Sequence, residues 1–114
     1  MKKLQFIFDS EPEQMEDNCL ATWKKLGPFN LFKLVAEKKI FIDDRLKLAQ
    51  AISKAKRNEK YDYFGQLNQE GKSEGLGRGC FYNDSVYEGE LKYGKRDGYG
   101  RIILSNGDYY IGMF

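Results

Sequence analysis

A chain of 114 residues, 41% hydrophobic and with a net charge of +2, can build one modest core, and its charge balance alone does not point to nucleic acid. The absence of histidine excludes histidine general bases, Ser–His and Cys–His nucleophile pairs and histidine metal ligands. Cys19 and Cys80 lie far apart and in different halves, which fits two reduced buried thiols better than a disulfide framework or a zinc site. Charge is unevenly placed: residues 1–60 carry 13 basic and 9 acidic side chains, and residues 61–114 carry 6 and 8.

The chain opens Met1-Lys2-Lys3 and continues with a short apolar run to Phe8. Asp9 interrupts that run too early for a signal peptide, and no stretch is long enough to span a membrane, so an intracellular setting is expected. Residues 4–8 alternate weakly, which predicts a short strand or an extended arm. Ser10-Glu11-Pro12-Glu13 has the form of a helix start, with Ser10 as cap and Glu13 closing a capping box. Met15, Cys19, Trp23 and Leu26 then share one helical face up to Gly27-Pro28. A second helix is expected from about Asn30 to Lys38, with Phe32, Val35 and Ala36 inward. A third is expected from Asp43-Asp44 to Arg57, with Leu48, Ile52 and Ala55 inward and charges that complement the macrodipole at both ends. Trp23, Phe29 and Phe32 suit the core of this helical unit better than a partner anchor. Asp43 and Asp44 diverge on a helix and suit a helix start better than an acid/base pair.

Asn58-Glu59-Lys60 is expected to be a polar hinge. Beyond it the periodicity changes to short strands broken by glycine, near 62–68, 76–82, 86–92, 99–104 and 108–113. Asn106-Gly107 predicts a two-residue primed turn, Asn83-Asp84-Ser85 a second turn (its glycosylation pattern notwithstanding), and Gly71 and Gly94 the turns inside each repeat. The segment is repetitive. Tyr87-Glu88-Gly89 returns 23 residues later as Tyr110-Ile111-Gly112, and Tyr63-Phe64-Gly65 precedes it by 24. Gly94, Gly98 and Gly100 correspond to Gly71, Gly75 and Gly77, with one extra residue in the first loop. Such a period marks a stacked repeat array. Glycine weakens a strand unless a ring from the next strand covers the bare backbone, and Phe64, Tyr87 and Tyr110 are available for that role.

Tyr87-Glu88-Gly89-Glu90-Leu91, Gly94-Lys95-Arg96-Asp97-Gly98-Tyr99-Gly100 and Asn106-Gly107-Asp108-Tyr109-Tyr110-Ile111-Gly112 closely resemble the MORN repeat. Leu91 stands where that family prefers Trp, and Asp97 where it often has His. The upstream copy, from Phe64-Gly65 to Gly77, is degenerate. The resemblance covers 63–114 and does not extend to 1–60. It implies stacked β-hairpins in a twisted single-layer sheet, and roles that are mostly structural: ciliary radial spokes, cytoskeletal scaffolds and proteins linking membranes. The family's repeats also occur as non-catalytic accessory segments of enzymes.

The expected architecture is therefore α+β: a helical unit, 1–60, followed by about two and a half MORN-like antiparallel hairpins, 61–114. Tyr87, Gly89, Gly94, Gly98, Gly100, Gly107, Tyr110 and Gly112 form the structural repeat. The expected function is a non-catalytic scaffold subunit of a large assembly, ciliary axonemal or cytoskeletal by that resemblance, without cofactor, metal or nucleic acid. The last repeat begins without completing, so the C-terminal strand edge is expected to be covered by a second copy, another subunit or further repeats. Its contact residues would be Tyr109, Tyr110, Ile111, Met113 and Phe114. Lys54, Lys56, Arg57 and Lys60 form a basic cluster that suits a solvated helix end and, as the functional alternative, an acidic protein face or an anionic membrane. Two rival readings are a peripheral phospholipid-binding module and the N-terminal segment of a longer enzyme.

Overall fold

The structure is a computed structural model that describes residues 2–13, 15–56, 59–81 and 85–114, with backbone alone at 50–56, 59 and 60. Among these residues, three short helices precede six strands. The helices are α1 (Lys2–Asp9), α2 (Asp17–Leu26) and α3 (Leu31–Ala36). The strands are β1 (Lys47–Lys56), β2 (Glu59–Leu67), β3 (Ser73–Phe81), β4 (Val86–Lys92), β5 (Lys95–Ile103) and β6 (Tyr109–Met113). They form one antiparallel meander in the order β1-β2-β3-β4-β5-β6. The α+β class and the hairpin sheet agree with the sequence.

Several local expectations are overturned. Residues 2–9 are helical because Leu4, Ile7 and Phe8 make one buried stripe. Gln5 lies in that stripe and disguises it as alternation; its amide donates to the Phe29 carbonyl and accepts from the Leu31 N–H. Ser10 closes α1 by donating to the Phe6 carbonyl, so the capping box at Ser10 does not form and α2 starts at Asp17. In α3 the Asn30 side chain accepts from the Lys33 N–H, as a cap should. The buried face is Leu31 and Leu34, with Val35 partly buried, and Phe32 points outward at 52% exposure.

The largest correction is the expected third helix. Residues 47–56 are β1, paired antiparallel with β2 from Lys47↔Leu67 to Lys56↔Glu59. Its alanines, lysines and Leu48 favour a helix locally, but β2 needs a partner for its outer row of backbone N–H and C=O groups, and that pairing decides. The sheet therefore begins at Lys47 rather than near 61. Glu59 and Lys60 are strand residues, not a hinge, and Asn58 lies outside the described residues. Asp43 accepts from the backbone and guanidinium of Arg45 in a turn.

Turns set the repeat length. Tyr93 and Gly94, at φ 51° and 78°, make a primed two-residue turn closing Lys92 against Lys95. Between β2 and β3 the Asn68 N–H donates to Lys72 and the Gly71 N–H donates to Asn68, which gives a loop one residue longer. That residue accounts for the spacing of 24 instead of 23. Leu104 to Asp108 is built in the same way, with Gly107 at φ 93°. Asn106-Gly107 thus closes a three-residue loop, not the expected two-residue turn. Of the turn expected at 83–85, Asn83 and Asp84 lie outside the described residues.

The helices cover one face of the sheet. Leu4, Ile7, Phe8, Phe29, Leu31, Leu34 and Ile40 pack with Leu76, while Cys19 and Trp23 pack with Cys80, Val86 and Ile103. Between these clusters lies a buried charged row, Arg78 on β3, Glu88 on β4 and Arg101 on β5, directly opposite one another across the ladders. Arg78 Nη2 and Nε lie 2.7 and 2.9 Å from Glu88 Oε2, and Arg101 Nε lies 2.9 Å from Glu88 Oε1. Each guanidinium also donates to the end of a helix: Arg78 to the Phe8 carbonyl at 3.2 Å and Arg101 to the Gly27 carbonyl at 2.7 Å. Glu88→Gln would leave two buried guanidiniums uncompensated and should lower the unfolding free energy by about 3–5 kcal/mol. The combined Arg78→Met, Glu88→Leu and Arg101→Met variant should return it to the parental value or above, and urea denaturation measures both.

Candidate interaction edge

The opposite face of the sheet is organised by tyrosine and glycine. In register across five strands stand Gly65, Gly77, Gly89, Gly100 and Gly112. Two residues before each glycine of β2, β4 and β6 is a tyrosine whose hydroxyl donates to the carbonyl three positions on. Tyr63 reaches Gln66 at 2.6 Å, Tyr87 reaches Glu90 at 2.7 Å and Tyr110 reaches Met113 at 2.9 Å. The hydrogen bond folds each ring down along its own strand, and the Tyr63 and Tyr87 rings reach Gly77 and Gly100 of the following strand. A Cβ on Gly100 would come within 2.5 Å of the Tyr87 hydroxyl, and a Cβ on Gly77 would overlap the Tyr63 ring. Glycine is required there by close approach. Tyr63, not Phe64, performs this role in the first copy; Phe64 faces the helices.

A register shift follows Gly65 and Gly89, and the next side chain closes the gap. Gln66 Oε1 accepts from the Leu76 N–H at 3.0 Å, and Glu90 Oε1 accepts from the Tyr99 N–H at 2.8 Å. Arg96 lies over the Phe81 and Tyr87 rings at 4.9 and 5.5 Å, adding cover to this face. Burial raises the Tyr63 and Tyr87 phenols above their ordinary value near 10, Arg96 opposing the shift at Tyr87.

At β6 the pattern stops halfway. Tyr63 and Tyr87 are 0% and 1% exposed, whereas Tyr110 is 50% exposed. Tyr109, Ile111, Met113 and Phe114 are exposed beside it, Met113 at 67%. The Phe114 ring stands edge-on to Tyr87 and Tyr110, with centroids 5.0 and 5.2 Å away, and so steadies the Tyr110 ring. Gly98 and Phe114 exchange both backbone hydrogen bonds. Antiparallel alternation from that pair turns the Tyr109, Ile111 and Met113 backbone groups to the open side. The structure thus gathers all five aromatic and apolar residues expected at a contact edge. On the helix side, Ile111 joins Pro28, Phe29, Lys33 and Tyr99 in a shallow groove.

The basic cluster is not assembled as expected. Lys54 and Lys56 belong to β1, not to a helix end, and their side chains, that of Lys60, and all of Arg57 lie outside the described residues. A second cleft, beside α1, is lined by Phe6, Ile7, Pro12, Phe64, Arg78 and Cys80. Burial pushes the Cys80 thiol up to about 12, which leaves it a poor nucleophile at neutral pH. Among the described residues no group of His, Cys, Asp or Glu is placed to hold a metal ion, and no helix is long and apolar enough to cross a membrane. The buried charge row went unread in the sequence; its available signal was the opposite charges at corresponding positions of successive strands, Arg78, Glu88 and Arg101. No family model, curated protein or solved structure matches the chain.

Two measurements check this geometry. Hydrogen exchange should alternate along β6, fast at Tyr109, Ile111 and Met113 and slow at Tyr110 and Gly112. Unfolding free energy should fall as pH rises above about 9, where the unfolded chain ionises Cys80, and more steeply above about 10, where it ionises Tyr63 and Tyr87, all three of which the fold keeps protonated. The fall should be shallower in the Tyr63→Phe and Tyr87→Phe double variant than in the parent.

Proposed function

We propose that the chain is a non-catalytic scaffold subunit of a larger protein assembly, built on a MORN-type hairpin array and docking through β6. The observation that carries this reading is the contrast between copies of one motif: the tyrosine is sealed in β2 and β4 and half-exposed in β6. An edge strand with five exposed aromatic and apolar residues is a template for pairing unless something covers it. The MORN resemblance favours a cytoskeletal setting, with the ciliary axoneme foremost, and a protein partner over a small-molecule substrate.

The native protein should accordingly elute well above its 13.3 kDa and co-purify with named neighbours. Tyr109→Lys and Met113→Lys, at exposed side chains, should change stability by no more than about 0.5 kcal/mol each. Together they should release the partners. A lone small species in its source, or full retention of partners by the double variant, would refute the docking role of β6.

A further inference from the structure

Resting on the docking role of β6, we infer what its partner strand must be: an antiparallel segment carrying Gly-apolar-Gly, its second glycine in register with Gly112. The molecule contains the template twice. Gly75-Leu76-Gly77 sits against β2 and Gly98-Tyr99-Gly100 against β4. In both, the second glycine lies opposite the glycine of a Tyr-x-Gly strand, beneath the ring of that strand's tyrosine. β6 offers the same half-site. Tyr110 is already closed on the Met113 carbonyl, Phe114 holds its ring, and the alternate backbone groups point outward.

The selection is steric. A ring held down by its own hydrogen bond leaves no room for a Cβ on the strand it covers, as Tyr87 leaves none at Gly100. A residue other than glycine opposite Gly112 must push Tyr110 off the Met113 carbonyl. The first glycine answers a different demand: Gly75 and Gly98 hold φ 79° and 105° where the register shifts. The middle residue falls on the helix-facing side, where Leu76 is buried in the core and Tyr99 packs on Phe29. An apolar side chain there meets Ile111 and the groove around Phe29. Such a partner adds a strand to the sheet, and backbone pairing supplies most of the contact while the ring sets the sequence.

The test uses the full chain and a synthetic peptide with the sequence of β5, Lys95–Ile103, beside the same peptide carrying Gly100→Val. Affinity is measured by titration, and the site is located by amide exchange at Tyr109, Ile111 and Met113. The glycine peptide should bind and protect those three amides, and the valine peptide should bind about tenfold more weakly or worse. In a Tyr110→Ala chain, whose unfolding midpoint should stay near the parental value, the discrimination between the peptides should largely vanish. Equal binding of the two peptides to the parental chain, binding without protection of β6, no binding of either, or a homodimer through β6 that excludes both would each overturn the inference. If the Tyr109→Lys and Met113→Lys variant still loses its native partners while no peptide binds, the glycine rule falls and the docking role stands. If neither partner nor peptide engages β6, both fall.

Discussion

One carboxylate joins the two layers of this molecule. Glu88 is fully buried and receives both guanidiniums of the charged row. Each guanidinium also donates from Nη2 to the carbonyl end of a helix, Arg78 at α1 and Arg101 just past α2. Two cations against one anion leave an excess positive charge, and the partial negative charge of two helix C-termini offsets it. The arginines also lie on rings, Arg78 on Phe8 and Trp23 and Arg101 on Phe29. A buried ion pair of this kind adds little stability over an apolar core of the same shape. What it adds is position: a helix shifted along the sheet would strand a guanidinium without its carbonyl, so α1 and α2 have one favourable seat.

That seating frees the other face for a different kind of packing. With the core of α1–α3 on one side, the sheet needs no second layer. Its far side is closed by rings folded flat along the strands over a line of glycines. The arrangement is directional. The Tyr-x-Gly strands β2 and β4 each cover the strand that follows, so β2 seals β3 and β4 seals β5, while among the described residues no strand lies beneath the ring of β6. Tyr110 is correspondingly half-exposed where Tyr63 and Tyr87 are sealed.

The strands of residues 61–114 were legible because glycine turns and the 23- and 24-residue spacings punctuate them. The tyrosine-over-glycine packing was legible in kind, though the first copy uses Tyr63 instead of Phe64. Two features were hidden for different reasons. Residues 47–56 have the composition of a helix, and pairing with β2, from Lys56↔Glu59 to Lys47↔Leu67, draws them into the sheet; that pairing is not written in their own propensity. Arg78, Glu88 and Arg101 read as the solvated half of alternating strands, since charged residues are ordinarily outside. Only the helices packed above them make that row interior. Residues 4–8 failed more simply, because one glutamine in the buried stripe of α1 mimicked a period of two.

The third copy differs from the first two at one further position, and the difference bears on how tightly a strand can be held there. The register shift after Gly65 and Gly89 leaves an N–H on the following strand without a ladder partner, and Gln66 and Glu90 supply the acceptor. In β6 that position is Met113, whose thioether is a weak acceptor. A strand docked on β6 must satisfy this N–H through water or a side chain of its own. The internal copies are built for permanent pairing and the edge copy lacks one of its hydrogen bonds, a loss of about 1 kcal/mol where water can reach the group and more where it cannot. Met113 is also flexible and apolar, able to fit differing neighbours. On the proposed docking role, an edge with a strict ring and a permissive methionine would favour reversible capture of a glycine strand over the fixed closure seen between β4 and β5.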